Sequence, residues 1–237
     1  MCKLRKMSLS KSLSIETSGR VGSVALADGP ELLAERQFPH GLQNAATILP
    51  IIDSLCRDQS WKPADLRQIF VSIGPGSFTG LRIGITLAKT LSFATGAVVV
   101  PVPTVRILAE NAPPDATNLV IVLDAKRGQI FTARFQKTAA GWTESEPAHL
   151  DTLSAMLARA PRPVHLLGEG IPYHKTAFVS SDPTVIVTEE STWRARAGAV
   201  AKLGWESAQA GKFADPFKLS PLYVRRPEAE EKLEALK

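Results

Sequence analysis

Eleven consecutive residues constrain this chain more than any others: Gly74-Pro75-Gly76-Ser77-Phe78-Thr79-Gly80-Leu81-Arg82-Ile83-Gly84. The apolar run Ile69–Ile73 leads into them, and an apolar stretch from about Phe78 to Ala94 follows. The block therefore reads as a strand, a glycine turn and the start of a long helix. Gly74 and Gly76 can take backbone angles closed to other residues, and Pro75 fixes one turn dihedral. Ser77 or Thr79 can cap the helix. A turn of this kind offers free N–H groups at the positive end of a helix, which suits an anion.

The common phosphate motifs are nevertheless absent. A Walker loop needs Gly-Lys-Ser/Thr where this chain has Gly80-Leu81-Arg82. A dinucleotide fingerprint needs a third glycine at Thr79, and an acid after the next strand in place of Val100-Pro101-Val102-Pro103. The turn thus stands between an uncommon phosphate cradle and a tight bend that lets the helix pack closely.

The helix says more. Gly80, Gly84, Ala88, Ser92 and Gly96 recur every four residues and form a stripe of small side chains. Phe78, Leu81 and Ile85 flank it on one side, and Ile83, Leu87, Leu91 and Ala94 on the other. At 3.6 residues per turn this non-polar arc spans roughly 220°, against about 100° for an ordinary surface helix. One sheet face does not cover it. A second apolar partner is required, either another helix of the same domain or another protein.

The rest of the chain falls into two similar halves. Ser10–Ile15 and Val21–Ala27 read as a hairpin around Thr17-Ser18-Gly19-Arg20, and Glu31–Phe38 as a third strand. A helix from about Leu42 to Arg57 turns Ala45, Ile48, Leu49, Ile52, Leu55 and Cys56 to one face, with Pro50 marking a kink or its start. After the glycine block come a strand, Ala97–Val102, a short helix, Val105–Asn111, and a boundary at Pro113-Pro114. Then Leu119–Asp124 and Gln129–Phe135 repeat the opening pattern: an apolar strand ending in an acid, a polar glycine turn, and a returning strand. A helix at Thr152–Arg159, strands at Val164–Leu167 and Val185–Val187, a helix at Arg194–Ala210, an extended Pro216–Pro227 and a charged helical tail complete it.

With 237 residues, 44% of them hydrophobic, the chain has material for one large or two small domains. Cys2 and Cys56 give neither a disulfide framework nor metal spacing, and the basic start, Met1–Met7, lacks the apolar core of a signal peptide. These features predict a reducing, cytoplasmic setting, with Met7 an alternative start. No apolar run is long enough to cross a membrane. The net charge of +5 is mild, and no dense Lys/Arg cluster with interleaved aromatics stands out.

Strand-end acids in duplicated α/β halves resemble the actin-like ATPase fold, in which the hairpin turn grips phosphate and the acid holds a metal through water. Glu16 and Asp124 occupy those places, or each simply caps its own turn. His40, His149, His165 and His174 are scattered, and none pairs at i, i+4 with another ligand. Gly76-Ser77-Phe78-Thr79-Gly80 does not fit a serine-hydrolase elbow. An ATP-dependent transferase or a glycoprotease-like enzyme of this fold is the enzyme reading, and a non-catalytic binding protein is the other.

Four segments together, Ile15-Glu16-Thr17-Ser18, the glycine block, Leu123-Asp124-Ala125-Lys126-Arg127-Gly128 and Pro221-Leu222-Tyr223-Val224-Arg225, resemble the bacterial TsaB (YeaZ) family over about Ser8 to Arg225. The resemblance implies a duplicated actin-like (ASKHA) fold with halves at 8–112 and 113–237. It also implies a part in making N6-threonylcarbamoyladenosine in tRNAs that read codons starting with A. In that scheme the chain is a non-catalytic scaffold without cofactor or metal, a paralogue and partner of the TsaD-type catalytic subunit. A TsaE-type ATPase joins the pair, TsaC supplies threonylcarbamoyl-adenylate, and tRNA is reached only through the complex. Alone, the chain is expected to form a homodimer. The catalytic paralogue carries a His-x-x-x-His metal pair, and register from the glycine block places Thr104 and Leu108 there, neither of which ligates metal as imidazole does. The Leu42–Ala45 region departs from the family, which has a Ser or Glu soon after His40. Read with the wide apolar arc, the expected partner interface comprises Leu49, Ile52, Phe78, Gly80, Leu81, Gly84, Ile85 and Ala88.

Overall fold

Strand pairing begins where the alternation is cleanest. A computed structural model describes residues 11–39, 44–177 and 182–224; His40 and the two chain ends, on which expectations were placed, lie outside them. In the first of two units, β1 (Lys11–Glu16), β2 (Val21–Asp28) and β3 (Glu31–Pro39) form the expected antiparallel meander. Parallel to β1 run β4 (Gln68–Ser72) and then β5 (Val98–Val102), giving the order β3-β2-β1-β4-β5. Helix α1 (Asn44–Asp58) lies against β2 and β3, with Pro50 inside it, and α2 (Phe78–Thr95) lies against β4, β5 and β1.

The other face of this sheet is closed from far along the chain. A Cβ on Gly84 of α2 would meet Ile15 and Thr17, whereas a Cβ on Gly204 would strike the ring of Phe70. Ile15 is paired with Val71, so Phe70 points to the opposite face. Helix α5 (Ala197–Gln209), which carries Gly204, therefore packs opposite α2. Small side chains make this close approach possible: Ser12, Ser14, Ser23, Ala25 and Ala27, all buried, lie in register with Phe70 beneath Ala197, Ala201 and Gly204. The Ser23 hydroxyl accepts the Ala197 N–H at 2.8 Å, and Arg196 Nη2 contacts Glu35 Oε2 at 3.1 Å.

The second unit repeats the plan. Strands β6 (Asn118–Asp124), β7 (Ile130–Thr138), β8 (Gly141–Asp151), β9 (Val164–Leu167) and β10 (Val185–Val187) are ordered β10-β9-β6-β7-β8, the same antiparallel trio plus two parallel strands. Helix α4 (Leu153–Arg159), capped by the Thr152 hydroxyl accepting the Ala155 N–H, seats Leu153, Met156 and Leu157 in a core with Val120, Val122, Ile130 and Leu166. Helix α3 (Thr104–Ala109) packs on β6 and β7. Two mixed sheets with matching strand order are the duplicated α/β, actin-like plan expected from the sequence.

The boundaries differ from 8–112 and 113–237. The units comprise residues up to Ser72 with Phe78–Val102 and Arg196–Ser220, and Ile73–Ser77 with Pro103–Ala195 and the segment from Pro221. Each half of the sequence thus sends its last helix to the other half's sheet: α3 follows β5 yet packs on β6 and β7, and α5 follows β10 yet packs on β1 to β5. Strand β8 was not anticipated.

Candidate functional site

Two places were expected to carry function: the acid-ended turns and the apolar face of the first two helices. At the β1–β2 turn, Glu16 is fully buried. Its Oε1 accepts both the backbone N–H and the hydroxyl of Ser18, each at 2.5 Å. Thr17 donates its N–H to Ser72 Oγ at 3.3 Å, and the backbone of Gly84 comes close enough to Thr17 that a side chain there would collide with its hydroxyl. Glu16, Thr17 and Ser18 are all buried, while Gly19 is half-buried and Arg20 exposed at the tip of the turn.

At the β6–β7 turn, Asp124 likewise accepts the N–H two residues on, from Lys126, at 3.0 Å. Lys126 Nζ lies 2.8 Å from Asp124 Oδ2, and His174 Nε2 is 3.5 Å from Oδ1. Burial pushes the Asp124 carboxyl up, but the Lys126 side chain and N–H, with His174, outweigh this and hold it below the ordinary carboxylate range. A divalent cation here would have to compete with the ammonium already on the carboxylate. Both acids therefore cap their turns with the same i to i+2 contact.

The histidines are less scattered than their spacing suggests. His174, buried, is brought to Asp124. His149 on β8 joins Glu146 and Asp151 around Arg159, whose Nη2 is 2.5 Å from Glu146 Oε1, 2.6 Å from Asp151 Oδ2 and 3.0 Å from His149 Nε2. The Arg159 hydrogen bond, against the opposing effect of burial, holds Glu146 below its usual range. This is an ion-pair network with arginine at its centre. Among the described residues no group of three or more His, Cys, Asp or Glu is disposed to hold a metal ion. Thr104 and Leu108 are both buried in α3, with the Thr104 N–H donating to the Gly74 carbonyl at 2.8 Å.

The helix face requires a correction. Gly80, Leu81, Gly84, Ile85 and Ala88 are buried against the unit's own sheet, and Ile52 is buried on α1. The small stripe serves close helix-to-sheet packing, because four-residue spacing on α2 places it over β1 and β4 rather than outward. Leu49 (51% exposed) and Phe78 (39%) remain at the surface, with the Arg82 guanidinium stacked 3.8 Å from the Phe78 ring centroid. Ile83, Leu87 and Leu91 are half-buried along one flank, and Phe93 near the helix end is 85% exposed. The wide arc is therefore divided between the sheet and an uncovered flank.

A family model for TsaD, the tRNA N6-adenosine threonylcarbamoyltransferase, matches residues 42–189. The tRNA threonylcarbamoyladenosine biosynthesis protein TsaB of Bacillus subtilis (strain 168) is 32% identical over 225 residues, 93% of this chain and 96% of that protein. Its Escherichia coli (strain K12) namesake is 29% identical over 132 residues, 54% of this chain and 56% of that one. YeaZ from Pseudomonas aeruginosa superposes with a TM-score of 0.76 at 21% identity, covering 90% of this chain and 99% of that chain, and so shares the fold. Sequence, sheet order and these likenesses agree: the chain belongs to the TsaB (YeaZ) family of tRNA threonylcarbamoyladenosine biosynthesis proteins, whose wider kin include TsaD.

Proposed function

We propose that this chain works in threonylcarbamoyladenosine synthesis as a non-catalytic, cytoplasmic scaffold that binds a TsaD-type catalytic subunit, with a TsaE-type ATPase joining the pair. The observation that supports this reading is that Thr104 and Leu108 stand where the catalytic paralogue has its metal-binding imidazoles, while the two strand-end acids are engaged in their own turns. Thr104 and Leu108 are core residues, Glu16 is sealed in its turn, and Asp124 is held by Lys126. The partner surface is the outer side of α1 and α2, with Leu49, Phe78 and the Ile83–Leu87–Leu91 flank as contacts. The buried Ile52, Gly80, Leu81, Gly84, Ile85 and Ala88 set its shape from beneath. The same flank lets the free chain pair with a second copy.

Leu49→Asp and Phe78→Asp test this together. Each change is at the surface, so the thermal melt should stay within about 0.5 kcal/mol of wild type. Affinity for the catalytic subunit should fall at least about tenfold, roughly 1.4 kcal/mol, and sedimentation should show less self-association. Unchanged affinity in both variants would sink the assignment. The rival reading, a nucleotide-dependent enzyme, draws on the paired strand-end acids. Turnover of magnesium-ATP by the pure chain would favour it over the scaffold.

A further inference from the structure

The ion-pair network around Arg159 contains a group that a permanent tie does not need. His149 Nδ1 lies 2.8 Å from the Pro147 carbonyl oxygen. A carbonyl only accepts, so this hydrogen bond assigns a proton to Nδ1 in every state of the ring, and the neutral ring has its lone pair on Nε2. That lone pair faces Arg159 Nη2, a donor, at 3.0 Å. The same nitrogen stands 3.3 Å from Glu146 Oε1 and 3.6 Å from Asp151 Oδ2, the two oxygens that Arg159 Nη2 holds at 2.5 and 2.6 Å. Ring and guanidinium thus face one pair of carboxylates.

The charged and titratable groups that meet here come from three elements: Arg134 on β7, Glu146, His149 and Asp151 on β8, and Arg159 at the end of α4. With the ring neutral, the two guanidiniums balance the two carboxylates. The Arg159 hydrogen bond holds Glu146 below its usual range; against the opposing effect of burial, the Thr152 N–H and Arg159 do the same for Asp151. Around neutral pH, therefore, the proton that comes and goes in this cluster is the second proton of the imidazole. Its arrival turns Nε2 into a donor. The contact with Arg159 Nη2 then sets N–H against N–H, and three cations share two carboxylates. Arg134 is the anchored one, with Nε 3.3 Å from Ser145 Oγ, Nη1 donating to the Arg159 carbonyl at 3.0 Å, and a side chain only 20% exposed. Arg159, at 39%, has the open way to water.

The geometry points to a proton-operated latch between β8 and α4: with His149 neutral, the Arg159 guanidinium ties the helix end to the edge strand, and with both ring nitrogens protonated, the imidazolium takes Glu146 and Asp151 and releases it. The helix itself stays formed in both states, since Arg134 and Arg162 hold the carbonyls of Arg159, Leu157 and Ala160. What changes is the hold on β8, whose pairing with β7 already slips around Arg134. The edge of the second sheet is thereby fastened in neutral and alkaline conditions and loosened in acid. The latch invokes no partner, so it stands or falls apart from the scaffold reading.

The test follows the isotope-labelled full-length chain by NMR from about pH 5 to about pH 8. Two signals are read. The ring nitrogens of His149 report its tautomer and protonation. The Arg159 Nε–H, which donates to Glu146 Oε1 at 3.1 Å, reports the latch through its exchange with water. Its rate is taken relative to that of the Arg134 Nε–H, so that the intrinsic pH dependence cancels. The neutral ring should carry its proton on Nδ1. As Nε2 takes up a proton, the ratio of Arg159 to Arg134 exchange should rise at least about fivefold, with the same midpoint as the ring. In His149→Gln, whose amide does not titrate, the ratio should stay flat. A ratio indifferent to the ring's titration, a rise that persists in His149→Gln, or a neutral ring protonated on Nε2 would each overturn the latch. Should the variant not fold, the wild-type titration decides alone.

Discussion

Gly84 illustrates how little room a single position has. Its α-carbon lies over Thr17 and Ile15, and a side chain there would meet the Thr17 hydroxyl below the closest approach that real Cβ atoms make. Helix propensity alone favours replacing this glycine by roughly 0.5–1 kcal/mol. Overpacking runs the other way, at about 1–3 kcal/mol, and the rigid neighbours are a helix on one side and a strand end on the other. Gly84→Leu should therefore lower stability in a denaturant or thermal melt, with any loss of partner binding following from that. A variant as stable as wild type would mean that α2 stands off the sheet. The sequence announced the spacing of the stripe and the tightness of the approach. It did not reveal which surface the stripe met, because a small residue is equally suited to a strand, a helix or another protein.

At the scale of elements, most of the secondary structure was readable, and the exceptions have causes. The glycine block, α2 and the hairpin of β1 and β2 carry strong periodicity and strong turn residues. Strand β8 escaped because Gly141–Asp151 is polar, holds Pro147 and alternates between half-buried and exposed positions. Those are the habits of an edge strand, and its register with β7 slips around Arg134, which further blurs the alternation. The placement of α5 escaped for the opposite reason. Ser12 and Ser14 alternate with Leu13 and Ile15, a pattern that reads as one wet face, yet all four are buried. A helix supplied from some 180 residues away covers the serines, and no local rule shows that. Ser23 is the anchor of that arrangement, since its hydroxyl accepts the first N–H of α5. Ser23→Ala leaves a buried donor without its acceptor and should cost about 1–3 kcal/mol. Hydrogen exchange should speed up in the first turn of α5 before it does in β1 or β4. Uniform acceleration across the whole unit would argue that α5 is held by packing alone.

For the whole molecule, the crossing of α3 and α5 means that the two sequence halves are not two folding units. A fragment ending at residue 112 would contain all five strands of the first sheet but not the helix that covers Ser12, Ser14, Ala25 and Phe70. It is expected to show no cooperative thermal transition by circular dichroism, whereas in the full chain the first sheet should melt cooperatively with α5 in place. Recovery of a sharp transition on adding a 113–237 fragment would fit the exchange, and a sharp transition from the first fragment alone would contradict it. The candidate site follows the same division of legibility. Glu16 and Asp124, and the capping of each one's own turn, were identifiable from the sequence, but the His174 contact and the pairing of Lys126 with Tyr173 depend on turns that only the folded unit brings together.

The position of α5 also bears on how the protein is made. Ribosomes extend chains at about 5–20 residues per second. Between the last strand of the first sheet and the end of α5 lie roughly a hundred residues, which at that rate is about 5–20 seconds of translation. Throughout that interval the nascent sheet has a bare side on which the small Ser12, Ser14, Ser23, Ala25 and Ala27 stand beside the larger Phe70, Val100 and Val102. The small residues that admit the helix thin out the apolar surface that waits for it, and so also protect the unfinished chain.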